Sequence, residues 1–168
     1  MKKTSWAAIA LVAVAVSWGG AFVLMKDAIE AQPFYDFLAI RFTIATAVMI
    51  LVKPSVLKAF DGPMIKHGIY LGVLLALGYI TQTIGLELST AAITGFITGL
   101  YVVLTPIFGW LIFRKKAGKR LIVGVLLATI ALALISINGV SFEVGQLWVV
   151  LCAFLFAAHI VGLSIWSP

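Results

Sequence analysis

Five runs without a single charged side chain fix the solvent of this chain. Residues 4–25, 68–86, 88–113, 121–142 and 144–168 contain no Asp, Glu, Lys or Arg. A helix needs roughly 20 apolar residues to cross the hydrocarbon core of a bilayer, and each run is near or above that length. A sixth run, 34–52, qualifies with Asp36 at its mouth and Arg41 inside it. The chain is 63% hydrophobic and 11% charged, with a mean hydropathy of +1.18, so its polar side chains are too few to cover a water-soluble globule. Barrel strands would be short and alternating, whereas these stretches are long and continuous. The expectation is an all-α, polytopic membrane protein with six transmembrane helices, short connections and almost no extramembrane domain. The first run follows "MKK" and has the charged start of a signal peptide. Its apolar stretch continues through Trp18 to Met25 with no small-residue cleavage pattern, so we read it as a retained span.

Sorting charge by loop gives an orientation. With the amino terminus in the cytosol, Lys2, Lys3, Lys53, Lys58, Lys66, Arg114, Lys115, Lys116, Lys119 and Arg120 all fall inside, ten of the 12 basic residues. Lys26 is the one basic residue outside, together with Asp27, Glu30, Asp36, Glu87 and Glu143, and Arg41 lies within the membrane. That is the distribution the positive-inside rule requires, and the inverted topology violates it at every loop. The cluster from Arg114 to Arg120 therefore reads as a topogenic loop facing anionic lipid. No aromatic residues interleave with it to stack bases, so no nucleic-acid partner is expected. One cysteine, Cys152, excludes a disulfide framework. No phosphate loop, nucleophile elbow or paired metal ligands are present, so no cofactor, metal or catalytic residue is assigned.

Within the spans, small and polar residues carry the information. Gly68 and Gly72, and Gly95 and Gly99, are each one helical turn apart and are expected to be helix-packing seams. Thr94, Thr98, Tyr101 and Thr105 follow helical spacing along one side of the fourth span. That stripe is expected to face a cavity, although each threonine has the alternative of bonding its own i−4 carbonyl. Pro106 removes a backbone bond and is expected to kink the span near its inner end. Tyr79, Gln82 and Thr83, with Glu87 one turn beyond, suggest a wet vestibule at the outer end of the third span. Trp18 is followed by Gly19 and Gly20, which leave room beside the indole. Trp148, Cys152, His159 and Trp166 share a face of the sixth span, and His159 is a candidate cavity residue. Arg41 is the costliest side chain, at roughly 3 kcal/mol or more if it faced lipid. Its expected partners are Asp36, Glu87 or Glu30, with attraction of an anionic or zwitterionic substrate as a second role.

The segments "SWGGAFVLMK", "FLAIRFTIATAVMIL" and "GLELSTAAITGFITGLYVVLTPIFGWLIF" together resemble the EamA-like domain of the drug/metabolite transporter superfamily. The resemblance implies a ten-helix bundle of two inverted five-helix repeats, both termini inside, that exports or exchanges small metabolites, amino acids or drug-like amphiphiles, through a central cavity. It implies one repeat over residues 1–142, with helices at about 4–25, 34–52, 68–86, 91–113 and 121–139. Residues 143–168 would be the first helix of a second repeat, because "LFAAHIVGL" weakly echoes "SWGGAFVLM". The chain is thus expected to be half of the bundle, completed by a missing second repeat or by a second copy. Alternating access past Trp18, Gln82, Thr94, Thr98, Tyr101 and His159, with Arg41 and Glu87 as charge or gating residues, is the implied mechanism. Arg114 stands where many such proteins carry an acidic residue, so that carboxylate's role does not transfer. A non-transporting subunit that packs with partner helices is the alternative. An enzyme is disfavoured, since His67 and His159 lie on different elements. A four-helix multidrug antiporter is disfavoured too, because no carboxylate lies deep in the first span.

Overall fold

The computed structural model describes residues 2–58, 60–114, 118–136 and 144–166. Every regular element among them is helical: α1 (Lys2–Ala31), α2 (Phe34–Val52), a 3-10 turn at Pro54–Lys58, α3 (Gly62–Glu87), α4 (Ala91–Thr98), α5 (Tyr101–Phe113), α6 (Lys119–Ser136) and α7 (Val144–Trp166). By length and composition, Trp6–Ala31, Phe34–Val52, Gly62–Glu87, Ala91–Phe113 and Val144–Trp166 can each cross a membrane. The fifth predicted span corresponds to α6. Its expected end at 137–139, and with it Lys115, Lys116 and Glu143, lie outside the described residues.

Two helices run past the boundaries that charge suggested, because charge ends a hydrophobic run without ending a helix. The polar residues from Lys26 to Glu30 remain in α1, where Ile29 is buried. Helix α3 starts at Gly62, six residues before the expected start at Gly68. The Asp61 carboxylate caps it by accepting from the Met64 N–H at 2.8 Å, and Pro63 fits the first turn, where its missing N–H is no loss. The Thr90 hydroxyl similarly accepts from the Ile93 N–H at 3.2 Å to start α4.

The centre of the structure is the antiparallel pair α3 and α7. Of the most apolar stretch of each, 33% and 39% is buried, against 6% for α1 and for α2, which the other described helices leave largely uncovered. Glycine sets how closely the pair approaches. A Cβ on Gly145 would lie 2.8 Å from the Leu88 Cβ, and one on Gly162 would lie 2.8 Å from the Leu71 Cδ2. Cβ atoms on Gly85 and Gly78 would overlap Val149 and Phe156. The seam is therefore carried by these four glycines and not by Gly68 and Gly72, beside which no atom lies within 4 Å of the Cβ position. The spacing was right for a seam, but that stretch of α3 turns it away from α7. Gly95 does meet a neighbour, with the Phe22 ring 3.3 Å from its Cβ position.

At one end of the bundle Phe22, Met25, Ile29 and Leu86 bury each other, with Phe34, Phe37 and Ala91 against them. Lys26 locks this end: its ammonium donates to the carbonyls of Leu86 at 2.9 Å, Glu87 at 3.0 Å and Ser89 at 3.2 Å. The first two are orphan acceptors of the end of α3, where a cation also complements the helix dipole. At the opposite end the His67 imidazole stacks on the Trp166 indole, with centroids 4.8 Å apart and planes within 3°.

Candidate substrate cavity

The fourth span changes its backbone pattern in the middle. The Leu100 N–H donates to the Ile97 carbonyl at 3.0 Å and the Val102 N–H to the Gly99 carbonyl at 3.1 Å, both three residues back. This tight 3-10 turn separates α4 from α5. A Cβ on Gly99 would sit 3.0 Å from the Phe96 carbonyl oxygen, a close contact that glycine avoids. Pro106 lies inside α5, and the interruption falls at Gly99 and Leu100.

Beside this turn is a cavity of about 170 Å³ lined by Trp18, Leu75, Tyr79, Tyr101, Phe156, His159 and Ile160. Its wall is a chain of rings. Trp18 and Tyr101 are 6.0 Å apart, Tyr101 and Phe156 6.3 Å edge to face, and Phe156 and Tyr79 5.2 Å edge to face. Trp18 and Tyr101 also line a wider groove of about 430 Å³ along α1 and α4, whose floor is made of small residues including Gly19, Gly95 and Gly99. The two rings stand between the two spaces.

His159 is oriented from behind. Its Nδ1 lies 2.9 Å from the Leu71 carbonyl oxygen. A carbonyl can only accept, so Nδ1 carries a proton and donates. Gln82 lies behind the groove, its amide donating to the Thr98 hydroxyl at 3.2 Å in a buried contact between α3 and α4. Thr94 is fully buried with no hydrogen-bond partner for its hydroxyl, and lines neither space. Thr105 follows the local alternative and donates to the Tyr101 carbonyl at 2.7 Å, as Thr83 does to the Tyr79 carbonyl at 2.7 Å.

Of the residues the sequence singled out, Trp18, Tyr101 and His159 thus meet around one cavity, Thr98 borders the adjoining groove, and Gln82 supports Thr98. Glu87 is exposed at the end of α3, and the Thr83 hydroxyl donates to the Tyr79 carbonyl. Arg41 departs from expectation. Its guanidinium lies 4.9 Å over the Tyr79 ring and donates to the Met25 sulfur at 3.3 Å, with no ion pair to Asp36, Glu30 or Glu87. The carboxylates sit at the helix ends, out of its reach, and a ring face is the compensation that a cation finds among apolar helices. Sequence reasoning did not assign Tyr79 and Phe156 to the path. Phe156 was visible only as the counterpart of Trp18 in the internal echo.

The sequence model of the EamA-like transporter family matches residues 5–137. An "uncharacterized transporter" of Archaeoglobus fulgidus is 37% identical over 166 residues, a stretch covering 98% of this chain and 51% of that protein. The "uncharacterized transporter YetK" of Bacillus subtilis is 24% identical over 171 residues, covering 99% of this chain and 52% of that protein. The chain therefore spans about half the length of the curated relatives it matches. No solved structure matches it. With a family match over most of its length, this chain belongs to the EamA-like transporter family.

Proposed function

We propose that the chain supplies one half of the path of an integral membrane carrier that exports or exchanges small metabolites by alternating access, without chemical turnover. The observation that carries this reading is the ring-walled cavity between α1, α3, α5 and α7, roughly halfway along the helices and sharing Trp18 and Tyr101 with the α1–α4 groove. Carriers built from repeats hold their substrate near the bilayer midplane, where irregular helices line a cavity. The tightened turn at Gly99 stands at that place. Its remaining wall comes from a second repeat, of which α7 is the first helix, or from a second copy of the chain. The end of the bundle bearing Lys53, Lys66, Arg114 and Lys119 faces the cytosol, and the end bearing Asp27, Glu30, Asp36 and Glu87 faces outward, in keeping with the positive-inside rule.

The test is counterflow of radiolabelled amino acids and small amphiphiles in liposomes containing the protein. Tyr101→Ala and His159→Ala should each lower flux about tenfold, equivalent to about 1.4 kcal/mol, while the purified protein stays monodisperse. Absence of substrate-dependent flux, or flux indifferent to both substitutions, would point instead to a packing subunit.

A further inference from the structure

Trp18 is the one wall of the cavity that α1 supplies, and the other six lining residues come from α3, α5 and α7. Those three helices are fixed to one another. Glycines bring α3 and α7 into contact, and Phe108 of α5 meets Phe154 of α7 with ring centroids 5.9 Å apart. Helix α1 is held differently. Its residues 6–20 are all exposed, while its buried side chains, Phe22, Met25 and Ile29, lie in its last third. The place of the Trp18 indole is therefore set from one end of α1.

Lys26 is the polar part of that hold. An ammonium has three N–H donors, and here the carbonyls of Leu86, Glu87 and Ser89 accept at 2.9, 3.0 and 3.2 Å. The corner that Lys26 grips is itself pinned to α7, since a Cβ on Gly145 would lie 2.8 Å from the Leu88 Cβ. Trp18, Phe22 and Lys26 follow one another in steps of four along one side of α1, which puts Lys26 about 12 Å from Trp18 at about 1.5 Å per residue. With Lys26 as pivot, a swing of about 20° carries the indole about 4 Å. That shift is comparable with the 6.0 Å between the Trp18 and Tyr101 ring centroids.

Building on the proposed transport path, we infer that Lys26 is a positioning residue of that path. Its ammonium latches α1 to the α3–α4 corner so that Trp18 walls the cavity. Release of the latch lets the indole leave and joins the cavity to the α1–α4 groove, which Trp18 also lines.

The experiment measures N-ethylmaleimide labelling of Ile160→Cys, at a half-buried wall of the cavity, in a Cys152→Ala background of the full chain in phosphatidylcholine nanodiscs. Lys26→Met keeps the apolar stem and removes the donors, and should raise the labelling rate about tenfold. Lys26→Arg keeps donors for the carbonyls and should restore the wild-type rate to within about twofold. Trp18→Ala should raise the rate as Lys26→Met does, and combining the two should add nothing further. Should Lys26→Met fail to fold, Lys26→Gln takes its place with the same expectations. An unchanged rate, or effects of Lys26 and Trp18 that multiply, overturns the inference. The natural Cys152, fully buried in α7, is the control: if Lys26→Met exposes it as well, the whole bundle has loosened and the positioning role is overturned. Labelling needs no transported solute, so failure of the latch leaves the transport reading standing. Absent counterflow with the expected labelling overturns the transport reading and not the latch.

Discussion

Gly85 and Gly72 lie on the same helix in opposite surroundings. A Cβ on Gly85 would press on Val149 and stand 2.8 Å from the Gly145 carbonyl oxygen, a backbone atom that cannot swing aside, whereas one on Gly72 would meet nothing. Gly85→Ala should therefore destabilise the protein by about 1–3 kcal/mol. Gly72→Ala should be neutral or stabilise it by up to about 1 kcal/mol through helix propensity. Thermal unfolding in detergent separates the two, and equal effects would mean that α3 and α7 do not pack through this seam. Spacing alone made Gly68 and Gly72 look like the better candidates, because a one-turn repeat is legible and a neighbour is not. Arg41 illustrates the same limit: its cost in a span could be read from the sequence, but which group answers the charge depended on Tyr79 and Met25 reaching it from other helices.

At the scale of elements, the link between α3 and α4 is the Gln82–Thr98 hydrogen bond, buried on both sides. Thr98→Val strands the Gln82 amide, which is only 2% exposed, and should lower stability by about 1–3 kcal/mol. Adding Gln82→Leu should recover part of that loss, so the double variant falls short of the sum of the singles by about 0.5–3 kcal/mol. A double-mutant cycle of unfolding free energies in detergent measures the coupling, and strict additivity would dissolve the link. The hydroxyl stripe of the fourth span was legible as a pattern, yet its members separate in the fold. Thr98 is tied to α3, Thr105 to its own helix, and Tyr101 to the cavity. Pro106, through its missing N–H, is expected to kink that span and lies inside α5. A tightened turn occurs at Gly99 and Leu100, where the Leu100 and Val102 N–H groups bond three residues back.

For the whole molecule, orientation is the property to test. In a Cys152→Ala background, single cysteines at the exposed positions Asp27 and Glu87 should react with an impermeant maleimide applied to intact cells. Cysteines at Lys53 and Lys119, also exposed, should react only after the membrane is opened. The reverse pattern would overturn the assignment of the basic end to the cytosol. The sequence by itself determined that the chain is a helical membrane protein, with its spans near their observed places and charge sorted by loop, because hydrophobic length and the energy of burying charge in lipid are local quantities. Only the tertiary structure decided that α3 and α7 form the core, that Gly78 and Gly85 rather than Gly68 and Gly72 face it, and that Trp18, Tyr79, Tyr101, Phe156 and His159 close around one space. Inside a bilayer every helix face is apolar, so hydropathy cannot say which face meets protein. Side-chain fit between distant segments makes that choice.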